Sequence, residues 1–157
     1  MDGNSSICGT ESCSSAVKLL KDDQIALTEL FSEYEQVEDY KKKEEIVSKI
    51  SMALSSYFTL ETDVVYPALV SMAVFSQDVC AGAESHHQAK LILDQLQRLT
   101  ADIDASSYGK AVQALSATVK KHFAEERQTF FPAIDRCSEK AEELNQQLKQ
   151  FKAERST

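Results

Sequence analysis

The sequence has no tryptophan and few residues that interrupt regular structure. Only two prolines and four glycines occur among its 157 residues. Apolar–polar alternation of the kind that marks strands is hard to find. Because glycine and proline are the strongest interruptions of helices, their scarcity favours a helical chain. The length fits one domain with a sizeable core, since 43% of the residues are hydrophobic.

The sequence also lacks an excess of positive charge and a long apolar run. Its formal net charge is −8, which disfavours non-specific binding to nucleic acid or to anionic membranes. No apolar run approaches the roughly 20 residues of a membrane-spanning helix. Residues 1–15 are rich in serine and have neither the basic start nor the apolar centre of a secretory signal. These absences predict a cytoplasmic protein that binds neither nucleic acid nor membranes.

The four cysteines do not form a recognisable metal or disulfide motif. Cys8 and Cys13 lie five residues apart near the N-terminus, and Cys80 and Cys137 lie far along the chain. That spacing is not a strong zinc signature, and a cytoplasmic setting disfavours structural disulfides. We interpret all four as thiols without a special role. A redox pair or a metal-delivering tail at Cys8 and Cys13 is the less favoured alternative.

Apolar residues recur at helical spacing in four long segments. The predicted helices cover residues 15–37, 42–71, 80–99 and 109–131. Ser14 or Ser15 is expected to cap the first helix. Pro67 is expected to kink or close the second helix, because proline removes a backbone donor.

These segments predict an all-α fold, an antiparallel up-down four-helix bundle. We expect the bundle over residues 15–135, a flexible tail over 1–14, and a short extra helix and tail over 136–157. The last segment carries a short apolar stripe that could cover one end of the bundle or form an interface. That stripe consists of Leu144, Leu148 and Phe151. The sequence leaves the oligomeric state open.

Polar side chains interrupt the apolar stripes of all four predicted helices near their midpoints. In an up-down bundle the midpoints of neighbouring helices lie at similar heights, so these side chains are expected to meet in one layer. Burying such groups without partners is costly, which favours contact with one another or with a shared cation. The interrupting residues are Gln24, Tyr57, Glu61, His86, His122 and Glu126.

Two histidines and two carboxylates of this layer form the predicted metal site. His122 and Glu126 are one helical turn apart, and Glu61 and His86 come from the second and third helices. The mixture of nitrogen and oxygen suits iron, manganese or zinc and is too rich in nitrogen for calcium. Either histidine alone would be a hydrogen-bonded core residue, but together with the carboxylates they favour a metal. His87 shares a mostly polar face and is predicted to lie on the surface.

Four stretches within residues 17–133 resemble the hemerythrin-like, or HHE cation-binding, domains. They are LLKDDQIAL (19–27), LETDVVYPAL (60–69), ESHHQAK (84–90) and HFAEERQTFFP (122–132). The resemblance implies a four-helix bundle around a non-heme di-iron centre that binds dioxygen. In some members of the family the centre senses iron or oxygen, or handles peroxide or nitric oxide.

The sequence departs from this family pattern at two positions. The resemblance expects imidazoles on the first and second helices, where this chain has Gln24 and Tyr57. Both missing imidazoles would serve the same iron of the pair. The ligands that the resemblance retains are Glu61, His86, His122 and Glu126. The implied centre holds one or two ions: it is either mononuclear or an asymmetric di-metal centre that includes Tyr57.

Gln24 and Tyr57 each have two interpretations. The amide oxygen of Gln24 is a weaker ligand than imidazole, so Gln24 is either a weak ligand or a support for the ligands. Tyr57 ligates well only as a phenolate, which requires a metal to lower a pKa of about 10. Alternatively, Tyr57 donates a hydrogen bond to Glu61 or towards the first helix.

The leading functional hypothesis is a non-heme iron-binding protein with an altered centre that binds or activates dioxygen or another small molecule. Such a centre permits oxidase or oxygenase activity, although no feature of the sequence names a substrate. The alternative is a bundle that has lost its metal and acts as a regulatory or partner-binding module, in which the polar layer is a hydrogen-bonded network. Simple dioxygen carriage is less favoured because of the two substitutions.

Overall fold

The structure is a computed structural model that describes residues 13–74 and 76–155. All regular structure in these ranges is helical. The elements are α1 (Ser15–Gln36), α2 (Tyr40–Leu60), π1 (Glu61–Val65), α3 (Tyr66–Ser71), α4 (Ser76–Gln97), α5 (Ala105–Glu125), π2 (Glu126–Phe130), α6 (Phe131–Arg136) and α7 (Ser138–Arg155). The π-helical segments π1 and π2 join α2 to α3 and α5 to α6. Four long helices therefore form the bundle, as the sequence predicts, and α7 is added to it.

Two of the predicted helix starts were wrong. α4 begins at Ser76 and α5 at Ala105, whereas the sequence predicted that these helices begin near residues 80 and 109. The first turns of both helices consist mainly of exposed residues, so no apolar stripe marks them. The start of α1 agrees with the prediction, because the Ser14 hydroxyl accepts a hydrogen bond from the Val17 amide at 3.2 Å.

The core lies between two closely packed helix pairs, α1 with α2 and α4 with α5. α7 packs against α1, α6 and π1, and buries Leu144 and Leu148 there. Its apolar stripe thus covers the bundle itself. The predicted tail over 1–14 lies outside the described residues apart from Cys13 and Ser14, and the domain boundaries stay predictions. No helix in the described ranges is long and apolar enough to cross a membrane.

Both long helices that carry a carboxylate of the polar layer contain a π-helical turn that starts at that carboxylate. The Tyr66 amide donates to the Glu61 carbonyl, and the Phe131 amide donates to the Glu126 carbonyl. A proline follows each turn, and the extra residue of a π turn accommodates a proline inside a helix. Pro67 therefore does not close its helix, which continues to Ser71.

Candidate metal centre

The structure brings the six predicted polar residues together in one buried layer. Each has less than a twentieth of its surface exposed: Gln24 0%, Tyr57 2%, Glu61 1%, His86 4%, His122 2% and Glu126 1%. His87 is exposed, as predicted from its polar face. The metal-binding role of the six residues stays a prediction, but their position on the inner face of four different helical segments follows from the stripe pattern.

The donor atoms of two histidines and two carboxylates converge in this layer. His86 Nε2 lies 2.7 Å and His122 Nε2 lies 3.0 Å from the same oxygen, Glu61 Oε1. His122 Nε2 also lies 2.8 Å from Glu126 Oε2. Glu61, His86 and His122 thus offer three donor atoms that all lie within 4.8 Å of one another.

These distances fit a shared cation better than a closed set of hydrogen bonds. Iron-like and zinc-like ions bind nitrogen and oxygen at about 2.0–2.2 Å, so neighbouring ligands at right angles are about 3 Å apart. His122 Nε2 can serve one hydrogen-bond partner, yet two carboxylate oxygens face it. Although Glu126 Oε2 lies 2.8 Å from that nitrogen, the contact lacks hydrogen-bond geometry, and this buried oxygen has no hydrogen-bond partner. The donor atoms of Glu61, His86 and His122 therefore fit one divalent ion, and Glu126 Oε2 lies beside this set, next to His122.

The charge state of Glu61 suits a ligand. Burial raises the pKa of this carboxyl, but hydrogen bonds from His122 and His86 outweigh burial and hold the pKa below its ordinary value. Glu61 is therefore ionised at neutral pH. Its oxygen faces the two imidazoles as an anion.

Gln24 and Tyr57 occupy the other side of Glu126 and both donate hydrogen bonds to it. Gln24 Nε2 lies 2.7 Å and the Tyr57 hydroxyl lies 2.7 Å from Glu126 Oε1. Gln24 Nε2 also donates to the Tyr57 hydroxyl at 3.0 Å. The sequence predicted that Tyr57 donates to Glu61 or towards the first helix, but its hydroxyl donates to Glu126 and accepts from Gln24 of the first helix. Glu61 is not a partner, because its carboxylate turns towards His86 and His122 instead.

Arg127 fixes the orientation of the Gln24 amide. A guanidinium only donates hydrogen bonds, and Arg127 Nε donates to Gln24 Oε1 at 2.9 Å. The Gln24 oxygen is therefore turned towards Arg127, and the NH₂ group of Gln24 faces Glu126.

Burial raises the pKa of Tyr57 well above its ordinary value, and the charge of Glu61 adds to this effect. The phenol is thus a neutral donor.

Tyr66 is a member of the layer that sequence reasoning missed. Its hydroxyl lies 3.1 Å from His86 Nε2 and 3.5 Å from Glu61 Oε1. The His86 ring lies between Phe58 and Tyr66, with ring centroids 4.0 Å and 5.4 Å away and nearly parallel planes. Tyr66 therefore positions the His86 ring and also offers a donor beside it. The signal in the sequence is Pro67, which accompanies the π turn.

Comparison with known proteins shows the family and the fold. The family model described as "Hemerythrin HHE cation binding domain" matches residues 15–134. The chain belongs to the hemerythrin HHE cation-binding family. A crystal structure of a hemerythrin HHE cation binding domain-containing protein from Mycobacterium kansasii has the same fold, with a TM-score of 0.70. The two chains are 19% identical over 87% of this chain and 86% of that one. No curated protein matches the sequence.

Gly82 leaves room for the Tyr66 hydroxyl in the polar layer. Substitution of Gly82 can be compared with the same substitution at a second glycine, Gly109. A Cβ atom at Gly82 would lie 2.5 Å from the Tyr66 hydroxyl oxygen, whereas a Cβ at Gly109 would meet nothing within 4 Å. Both glycines are helical. Gly109→Ala should therefore stabilise the protein by about 0.5–1 kcal/mol.

Gly82→Ala should instead destabilise the protein, because the added methyl group displaces the Tyr66 phenol from His86. Urea unfolding of the two variants measures the difference. In a Tyr66→Phe background Gly82→Ala should be less harmful, since the closest atom is gone. A Gly82→Ala variant as stable as Gly109→Ala would contradict this role of Gly82.

The buried tyrosines make the hemerythrin-like fold sensitive to alkali. Burial, with a smaller contribution from Glu44, raises the pKa of Tyr108 to about 12, and burial also raises the pKa of Tyr57 and Tyr66. A tyrosine whose pKa is higher in the folded than in the unfolded protein stabilises the fold. This contribution is complete below the unfolded-state pKa of about 10 and is lost as the pH rises through the folded-state pKa. The tyrosinate absorbance that these three residues contribute is therefore expected to rise together with loss of helical circular dichroism. Full ionisation of all five tyrosines in a folded protein would contradict this expectation.

Proposed function

We propose that the protein holds one iron ion between Glu61, His86, His122 and Glu126, and that this centre binds dioxygen or another small molecule. The observation that carries the proposal is the unequal use of the two Glu126 oxygens. Oε1 accepts two hydrogen bonds, whereas the buried Oε2 has no hydrogen-bond partner and lies beside His122 Nε2. Family membership supports cation binding, and the donor set supports iron.

Charge balance and hydrogen bonding both favour a single ion. Two ionised carboxylates neutralise one divalent cation, whereas a second divalent ion would leave a buried excess of positive charge. On the side where the family pattern expects two more imidazoles, Gln24 and Tyr57 direct hydrogen atoms at Glu126 Oε1. Arg127 lies behind Gln24 with its own positive charge. This side therefore repels a cation, which favours a mononuclear centre over an asymmetric di-metal one.

The surrounding residues have separable tasks in this proposal. When bound, iron supplies a Lewis-acidic and redox-active centre with a position open to a small ligand. His86, held between Phe58 and Tyr66, presents Nε2 in a fixed direction. The single lone pair of that nitrogen cannot serve both an ion and Tyr66. The Tyr66 hydroxyl then retains Glu61 Oε1, at 3.5 Å, as its acceptor.

Metal analysis of the purified protein tests the proposal. We expect about one iron per chain, the number of ions that one set of two imidazoles and two carboxylates holds. Anaerobic ferrous protein exposed to nitric oxide, a probe for an open iron position, should give the electron paramagnetic resonance signal of a high-spin ferrous nitrosyl. Absence of bound metal after reconstitution would overturn the proposal. Bound iron without a nitrosyl signal would remove its small-molecule part.

A metal-free role is the second candidate, and one observation favours it. Most polar atoms of the layer already lie within hydrogen-bonding distance of another member, from Tyr66 and His86 to Gln24 and Arg127. Such a network can specify a unique core without a metal. The bundle would then be a regulatory or partner-binding module. Reconstitution with iron separates the two functions, because only the first predicts stoichiometric uptake.

A further inference from the structure

We propose that the pocket between α4 and π2 is the port through which a divalent cation reaches the metal centre. The inference rests on the proposed metal-binding function and adds the route and the residues that attract the ion. The pocket has a volume of about 230 Å³. Its lining residues are Asp78, Ala81, Gly82, His122, Glu125, Glu126, Thr129 and Phe130.

The inner end of this pocket is formed by two of the four proposed ligands. His122 and Glu126 both line it, although each is at most 2% exposed. Glu126 Oε2 has no hydrogen-bond partner. A buried carboxylate oxygen without a partner is a costly arrangement that an incoming cation relieves. The pocket therefore ends at a residue whose buried carboxylate has one oxygen without a hydrogen-bond partner.

The outer part of the pocket is acidic. Asp78 and Glu125 line it, and none of its lining residues within 13–74 and 76–155 is a lysine or an arginine. Asp78 is half-buried and Glu125 is exposed. Acidic side chains in a concave opening concentrate cations and speed their capture, and this effect weakens as salt is added.

The pocket next to Tyr57 is a poorer route for a cation. It has a volume of about 320 Å³ and touches Tyr57 but neither histidine of the site. Lys152 and Arg155 line it, and its acidic residue Asp23 is paired with Lys152 at 2.6 Å. A cation that approaches there meets positive charge and then the donor hydrogens of Gln24 and Tyr57. The two pockets thus provide a natural comparison.

Rates of metal uptake test the port. Metal-free protein is mixed with cobalt(II), a divalent cation whose absorbance reports nitrogen and oxygen coordination, and uptake is followed by stopped flow. Asp78→Asn with Glu125→Gln should slow uptake by about threefold or more at low salt and weaken its salt dependence. The final cobalt content should not change, because neither residue is a proposed ligand. Glu139→Gln with Glu143→Gln removes the same charge from exposed positions on α7 and should leave the rate unchanged.

Steric variants give an independent test of the route. Ala81→Phe narrows the proposed port, and Ala26→Phe narrows the pocket next to Tyr57; both alanines are exposed and helical. Only Ala81→Phe should slow uptake. If the Asp78/Glu125 variant, the Ala81 variant, their controls and the unaltered protein all fill with cobalt at equal rates, the port is overturned. Metal binding is then left intact. No uptake by the unaltered protein at any time would overturn metal binding and the port together.

Discussion

Replacing His122 or Glu126 by alanine is expected to remove the bound metal, whereas the same change at His87 should leave it in place. His122 Nε2 lies close to both carboxylates, at 3.0 Å from Glu61 Oε1 and 2.8 Å from Glu126 Oε2. Loss of either residue leaves three donors, and a loss of about 10-fold or more in metal affinity is the least that we expect. His87 is exposed on the opposite face of α4. Metal content after reconstitution and dialysis measures the effect.

The stability of the metal-free proteins gives a second readout of the same variants. Glu126→Ala removes the acceptor of Gln24 and Tyr57, and each buried donor left without a partner costs about 1–3 kcal/mol. His87→Ala should change the free energy of unfolding by less than about 0.5 kcal/mol. Equal metal content in the His122, Glu126 and His87 variants would rule out the proposed ligand set.

The helical phase of the sequence was sufficient to find the polar layer. His86 and His87 are neighbours, yet only His86 continues an apolar stripe, and only His86 is buried. The same argument identified Gln24, whose amide would pass unnoticed in a search for metal ligands. In a straight helix the direction of each side chain follows from the 3.6-residue period. The burial of residues near the middle of each stripe could therefore be predicted without coordinates.

The residues that the sequence did not reveal lie where that period changes or where a long side chain crosses between helices. Tyr66 is five residues after Glu61, and a helix of constant 3.6-residue period would point the two in different directions. The π turn brings them together. Arg127 is exposed, and its bond to buried Gln24 joins positions 103 residues apart. A stripe pattern contains no information on such a contact, and it therefore could not show that the Gln24 oxygen faces away from the layer.

Gln24→His together with Tyr57→His should raise iron occupancy from about one towards two per chain. The two changes supply the imidazoles that the sequence resemblance implies at these positions, and they remove both hydrogen-bond donors from Glu126 Oε1. That oxygen is then available to a second ion. Neither single change should suffice, because one donor to Glu126 remains and only one imidazole is gained. Iron analysis and the absorption bands of an oxo-bridged pair report the result.

Gln24→Leu with Tyr57→Phe is the matched control for this experiment. It removes the same two donors but offers no imidazole, so occupancy should not exceed about one iron per chain. Iron uptake of one or less in the double-histidine variant would show that more than Gln24 and Tyr57 separates this centre from a di-iron one. Arg127 is then the next position to change, because its charge lies 2.9 Å from the Gln24 oxygen. A phenolate-to-iron absorption band in the unaltered ferric protein, lost in Tyr57→Phe, would instead make Tyr57 a ligand and contradict its role as a neutral donor.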